Sequence, residues 1–525
     1  MQRAIALLVA AGAVLLLAGS AGARVLRVGS YHGVRGQYQT IQAAVKAAHP
    51  GDWILIGPGD YKTKPSAVSS PRGFAKFPSG VLITKARLHL RGMNRNTVIV
   101  DGTRPGSAIC SRAAKAQNFG RAVKGAKASG LNGLMVWKAA KVSIENLTAC
   151  NFLGGSQDAG NQVWWNGGAD SGTVGGYGFR GSYLTATSTY FKTEATAAKY
   201  GVFSSNWSGG TWDQMYASNF NDSGFYIGAC QQVCNQTVNH IHSQYSVLGY
   251  SGTNSGGRLL IENSEFDHNK DGFDTNSQNA DEPAPQNGAC PAGVKPPVAG
   301  APTCWVFTRN YVHDNNNPNV PAAGAAAAGP VGTGISLSGA RNDTVIGNRF
   351  VNNQAWGIIL VPYIDHGGPC SGGTLNELGP GSCLFDQWGN AVLNNQFASN
   401  GGYGHPSNGD IATLNFESGH PTNCYAANSE IGGGSIRPAS AAALQTTQPS
   451  CNGSPAPASS SDPAFLNEVL CDTQVSLGSG PPTCPTGPYP RATRVVMHRV
   501  PKQKTMKNPC QGVPGNPWCS RKKKA

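Results

Sequence analysis

The chain has 525 residues, with 41 Lys and Arg against 27 Asp and Glu, a formal net charge of +14, and 14 cysteines. Beyond residues 1–23 no stretch is long and apolar enough for a membrane span, no pair of CxxC motifs suggests zinc, and no nucleic-acid-binding motif accompanies the charge, so nucleic acid is excluded as a partner. The charge is divided: 20 Lys/Arg against 3 Asp/Glu over 24–141, 10 against 24 over 142–472, and 10 against none over 473–525.

Residues 1–23 read as a secretory signal peptide: Arg3 supplies the positive start, 4–17 the apolar core, and Ala21-Gly22-Ala23 a small-residue cleavage site. The protein is therefore expected outside the cell or at its surface. There the cysteines should pair, and proximity in sequence suggests Cys110–Cys150, Cys230–Cys234, Cys290–Cys304, Cys370–Cys383, Cys424–Cys451, Cys471–Cys484 and Cys510–Cys519. Tyr38, Ile41, Val45 and Ala48 fall on one face of a short helix that Pro50-Gly51 stops. Strands follow at 53–56, 80–83, 88–90 and 97–100, then at 133–137 and 142–147. Gly-rich stretches at 104–132 and 153–178 read as loops.

From about residue 182 to 420 the chain keeps time. Gly201, Gly224, Gly249 and Gly272 stand 23, 25 and 23 residues apart, and Gly334 and Gly357 again 23. A fixed period of this size means stacked copies of one unit. The residue after each glycine is apolar or aromatic: Val202, Phe225, Tyr250, Phe273, Ile335, Ile358. The next is mixed: Phe203, Tyr226, Ser251, Asp274, Ser336, Ile359. Strand side chains alternate faces, so the first series is an internal ladder and the second an outer face. Recurring asparagines suit corners, where they tolerate left-handed backbone and stack as ladders. The beat is interrupted at 279–330 and 366–382, and residues 435–462 have the Ala/Ser/Pro composition of a linker.

The alanine-rich helix followed by Gly51-Asp52-Trp53-Ile54 and Pro58-Gly59-Asp60-Tyr61 resembles the opening of right-handed parallel β-helix proteins, the superfamily of pectate lyases and pectin esterases. The resemblance implies an all-β, right-handed parallel β-helix solenoid with a short N-terminal capping helix. The chain then divides into a signal peptide (1–23), the β-helix domain (24–423) with its four insertions, and a Cys/Pro/Ser-rich extension (424–525). The extension ends in a basic tail, either a surface attachment or a solvated arm.

The densest polar cluster is 263–282, NSEFDHNKDGFDTNSQNADE. Asp274 and Asn276 project outward, near Phe203, Tyr226 and Ser336. An aromatic ring covers the apolar face of a sugar, and carboxylates bind hydroxyls, bind a cation or move protons. Lys270-Asp271-Gly272-Phe273-Asp274 also resembles the DDGFD of calcium-dependent pectate lyases, with Lys270 in place of the first aspartate. The resemblance implies a secreted protein active on an acidic polysaccharide or cell-wall polymer, as polyuronate lyase or C5-epimerase. Its base would be Lys270 or His268, with His313 one coil on, and Arg309 and Arg341 would bind substrate carboxylates. Calcium would be held by Asp267, Asp271 and Asp274. Such a site fails if Lys270, Arg309 and Arg341 all point away from the Asp274 groove. Hydrolysis would need two carboxylates instead, Asp271 with Asp274 or Asp274 with Asp314. An aspartate beside a corner glycine also serves turn hydrogen bonds, and the competing functions are a non-catalytic polysaccharide binder and an adhesive rod.

Overall fold

The computed structural model describes residues 22–519 except 65, 69–76, 123–127, 169–172, 277–285, 367–369, 376–381, 452, 456, 478–483 and 485–486. Residues 1–21 of the expected signal peptide, residues 277–282 of the polar cluster and the last charges of the tail (520–525) lie outside the described residues. No described helix is long and apolar enough to cross a membrane.

The chain winds as a right-handed parallel β-helix. One sheet has ten parallel strands, from Phe77–Ile83 to Gly409–Asn415, closed by an antiparallel strand at each end, Ser66–Val68 and Ser459–Ser460. The larger sheet, of 19 strands, wraps the rest of each coil. In the coil that begins at Leu248, the corners fall at Asn254, Asn263 and His268, with φ of 50°, 50° and 54°. L-residues seldom adopt this left-handed backbone except as single turn residues.

The register is the one the glycine beat predicts. Val202 pairs with Phe225 and Phe225 with Tyr250; Phe273 pairs with Ile335 and Ile335 with Ile358. All are fully buried in one core that runs from Leu26 to Leu444. The neighbouring row, Trp164, Phe203, Tyr226, Ser251, Asp274, Ser336 and Ile359, is in register on the other face. Asparagine ladders form inside. Asn269, Asn315, Asn353 and Asn400 pass a side-chain hydrogen bond from rung to rung at 3.1, 3.1 and 3.2 Å. Each follows a corner by one residue, and its amide also donates to a buried carbonyl, as Asn315 Nδ2 does to Phe266 at 3.0 Å. A buried amide with its bonds made this way avoids the desolvation cost of an unpaired group.

Both ends of the core are covered, because an exposed solenoid end would leave apolar surface in water. Helix α1 (Ile41–Ala47), capped by Thr40 accepting from Ala43 N at 3.2 Å, buries Ile41, Ala44 and Val45 at the first coil. Helix α2 (Ala439–Thr447) covers the last with Ala441 and Leu444. The stretch that reads as linker is thus a cap, and its Gln445 ends a second ladder by accepting from Asn428 N at 2.8 Å. A third helix, α3 (Phe465–Leu477), lies across the outer face of the ten-stranded sheet, where Phe465 joins Trp356, Ile359 and Leu414.

Insertions carry more structure than their composition suggests. Val163–Asn166, inside 153–178, is a full rung of the ten-stranded sheet. Trp305–Thr308 and Tyr311–His313, inside 279–330, are strands of the larger sheet. The larger sheet also runs past residue 423, through Cys424–Ala426 and Ser429–Glu430. All seven disulfides join the pairs expected from proximity.

The described part of the tail is no solvated arm. Residues 493–519 run back along the solenoid as a strap. Asn319 Oδ1 accepts from Thr493 N at 2.9 Å, and Asn219 exchanges bonds of 2.9 and 2.8 Å with the His498 backbone. Asn96 does the same with Gln503 at 3.0 and 2.8 Å, and Arg91 donates to Gln511 O at 2.7 Å. Trp518 ends the strap, buried against Leu55 and Met93 at the N-terminal end.

Candidate active site

The outer face of the ten-stranded sheet is covered at both ends and open in the middle. Toward the N-terminus Trp164, Phe203 and Tyr226 stack face to face, at 5.0 and 4.6 Å between ring centroids. Toward the C-terminus α3 lies on the sheet. Between them is a groove of about 510 Å³. Its floor is Tyr226, Ser251, Asp274 and Ser336 in one row, and Thr253, Asn276, Ser338 and Val361 in the next. One wall is the segment 323–330; the other is Leu466, Val469, Leu470 and Thr473 of α3. Tyr226 is the last ring of its stack, and Ser251 after it is too small to cover the ring face that looks along the axis. That face is an apolar platform at the end of a polar floor.

Asp274 is at the centre. Its carboxylate accepts from Asn276 Nδ2 at 2.7 Å and Ser338 Oγ at 2.9 Å. Burial pushes its pKa up to about 6 despite these bonds, and the charge of Asp222 adds to the rise. Asp222 stands across the groove and is also pushed up to about 6 by burial, against the opposing pull of Lys199 and of hydrogen bonds from Tyr200 and Ser223. Asp271 is fully buried at the edge of the floor, beneath Gly329 of the wall, where it accepts from Ser336 Oγ at 2.7 Å. Burial, and then the charge of Asp274, raise it well above the carboxylate range.

Of the residues singled out from sequence, Asp274, Asn276, Ser336 and Tyr226 line this groove, and Phe203 lines an adjoining recess of about 260 Å³ that shares Tyr226, Lys199 and Tyr200 with it. Asp271 is buried at the groove's edge, under Gly329. The expected cations are elsewhere. Lys270 is buried under the 323–330 wall, its ammonium donating to Ala327 O at 2.5 Å and to Gly329 O. Burial lowers its pKa to about 8. Arg309 follows the strand Trp305–Thr308 at a left-handed corner, where it bonds Asn263 and Glu262. Arg341 leaves the sheet beyond Ser338, lies over the Trp388 ring and donates to Gly372 O at 2.8 Å. His268, His313 and Asp314 sit at the opposite corner of the coil.

Nor are the three aspartates of the expected calcium site together. The chain turns at His268, so Asp267 faces outward from the larger sheet while Asp274 faces the groove. Calcium takes six to eight oxygens; Asp271 is sealed off and bonded to Ser336, and Asp274 is held by Asn276 and Ser338, so these residues do not fit the ion. Asp267 keeps different company, His242 Nε2 at 2.5 Å and Gln244 Nε2 at 2.7 Å. His242, Glu265 and Asp267 are an open group of metal-ligand types among the described residues.

Three groove residues escape the sequence reading: Lys199, Tyr200 and Asp222. Their signal is in the same beat. Lys199 and Asp222 stand two places before Gly201 and Gly224, the position that Lys270 holds before Gly272. Strand alternation after each glycine marks only the residues that follow it as outward-facing, and so passes over this position.

No family model matches the chain, and no curated protein matches it. Among solved structures it is similar to the A-modules of the mannuronan C-5 epimerases AlgE4 and AlgE6 of Azotobacter vinelandii. Each is 11% identical over 74% of this chain, covering 90% and 94% of those modules, with TM-scores of 0.41 and 0.43. It is also similar to an alginate lyase from Paenibacillus sp. str. FPU-7, at 12% identity over 71% of this chain and 95% of the lyase, with a TM-score of 0.31. No residue role is carried over from them.

Proposed function

We propose that this is a secreted polysaccharide-active protein that binds a glycan in the groove over Asp274 and hydrolyses its glycosidic bond with Asp274 and Asp222. The observation that carries the reading is the pair of carboxyl groups, both pushed to about 6, facing one groove that ends in an aromatic platform. Hydrolysis needs one protonated and one ionised carboxyl group, and a pKa near the working pH serves both roles. Asp222, just before Ser223, and Asp274 stand two rungs apart and line one groove. Seven disulfides support an oxidising, extracellular setting.

The electrostatics of the groove disfavour an acidic polysaccharide. Glu194, Asp222 and Asp274 line it, and Lys199 is the one cation among its described lining residues. A uronate chain would meet like charge there, whereas a neutral or amino-sugar chain would not. Lyase or epimerase chemistry also needs a cation at the substrate carboxylate, and Lys270, Arg309 and Arg341 do not supply it.

The test is incubation of the purified protein with neutral, amino-sugar and uronate polysaccharides, with and without calcium. New reducing ends from a neutral or amino-sugar chain, lost in Asp274→Asn, support hydrolysis. Unsaturated ends or an altered epimer ratio from a uronate chain would replace it with lyase or epimerase chemistry. Retention on a polysaccharide column with no product would leave a binding protein.

A further inference from the structure

We infer that the outer face of the larger sheet carries a divalent transition-metal site built from His242, Glu265, Asp267 and His313. These residues lie on three adjacent strands, Gln231–Gln244, Glu265–Asp267 and Tyr311–His313, in register: His242 pairs with Glu265, Gln244 with Asp267, and Asp267 with His313. Alternation turns Phe266 and Val312 into the core and these side chains outward. Ligand atoms of His242, Glu265 and Asp267 all lie within 4.8 Å of one another. His242 Nε2 is 2.5 Å from Asp267 Oδ1, and His313 Nε2 is 3.1 Å from Glu265 Oε1. Ligands on a tetrahedral zinc ion with bonds of about 2.0–2.1 Å stand about 3.3 Å apart, so His242, Glu265 and Asp267 need only small side-chain adjustments, and His313, outside that close cluster, would join by turning its Nε2 from Glu265 to the ion.

The surroundings fit a metal as well as the ligands do. A metal-bound histidine usually gives its other ring nitrogen to a carboxylate, which fixes the tautomer and aims the free nitrogen at the ion. His313 does this: Nδ1 is 2.6 Å from Asp314 Oδ2, and Nε2 faces Glu265. Asp267 is likewise held through one oxygen, Oδ2, by Gln244 at 2.7 Å, leaving Oδ1 toward His242. Tyr311 stacks on the His313 ring at 3.9 Å and limits its rotation. The site is half open to solvent, with side-chain exposures of 30% for His242 and 44% for Glu265, so an ion can enter. Two imidazoles and two carboxylates favour zinc and similar ions over calcium, which prefers oxygen alone. Each histidine–carboxylate pair now shares a hydrogen bond. The ion would take that place, release the proton and tie three rungs together.

The test uses the full mature protein freed of metal by chelator and titrated calorimetrically with ZnCl₂, MnCl₂ or CaCl₂. One equivalent of zinc should bind more tightly than calcium and raise the unfolding midpoint. Cobalt in its place should give the visible absorption of a low-coordinate N/O site. Asp267→Asn and His242→Gln should each weaken zinc binding at least tenfold, and His49→Ala should not change it. His242→Gln is partly exposed and is checked by its melting curve in chelator, so a folded variant is in hand if Asp267→Asn is unstable. The proposal is overturned if zinc binding is not saturable at one equivalent, if calcium binds more tightly, or if a folded His242→Gln protein binds zinc as the unaltered protein does.

Discussion

Asp267 and Asp274 belong to one coil yet look out from different sheets, Asp267 toward His242 on the larger sheet and Asp274 into the groove beside Ser338. The left-handed corner at His268 lies between them. This separation divides the single acidic cluster of the sequence between two faces, one carrying the proposed glycan groove and the other the proposed metal site.

Removing either groove carboxyl should abolish chemistry and spare the fold. Asp274→Asn and Asp222→Asn are each expected to slow glycan cleavage by roughly 10²–10⁴-fold, the range for a lost general acid or base. Initial rates read beside melting curves check this. A folded Asp274→Asn protein with an unchanged rate would remove Asp274 from the site.

The same carboxyls set a pH dependence. Their folded pKa values, about 6, lie above the unfolded value of 3.8. The native state therefore holds more protons between these values, and stability from the two groups, full below pH 4, is lost as pH rises through 6. Urea unfolding from pH 4 to 7 should show this fall, and it should flatten in the Asp222→Asn, Asp274→Asn double variant. Cleavage should peak near pH 6, where one carboxyl is protonated and the other ionised.

Lys270 should prove a strut rather than a base. Its ammonium joins the carbonyls of Ala327 and Gly329, in one wall of the groove, to the field of the buried Asp472 on α3, in the other. Lys270→Met takes the donor from the two buried carbonyls and the counter-charge from Asp472, and is expected to cost about 2–4 kcal/mol. Amide exchange over 323–330 should quicken at the same time. A loss below about 0.5 kcal/mol, the ordinary range for a surface change, would deny the lysine this role.

The C-terminal strap should detach before the solenoid unfolds. Trp518 anchors its end against Leu55 and Met93, and Trp518→Ala is expected to cost about 3 kcal/mol of local docking. Limited proteolysis should then cut within 493–519 and leave a folded core. Cleavage no faster than in the unaltered protein would mean that the asparagine contacts hold the strap by themselves.

Much of this could be read from the chain alone, because in a solenoid most contacts recur at the period of the coil. The spacing of Gly201, Gly224, Gly249 and Gly272 assigns Phe273 to the core and Asp274 to the outer face, and short separations pair the cysteines. The tertiary structure decided whatever lies outside that period. Asp222 enters the groove from two coils away, and the non-periodic loop over Lys270 buries the expected base. A single left-handed residue, His268, turns Asp267 away from Asp274. Spacing along a strand determines which face a side chain takes, but the direction of a corner and the landing place of a loop or tail depend on contacts with no sequence period.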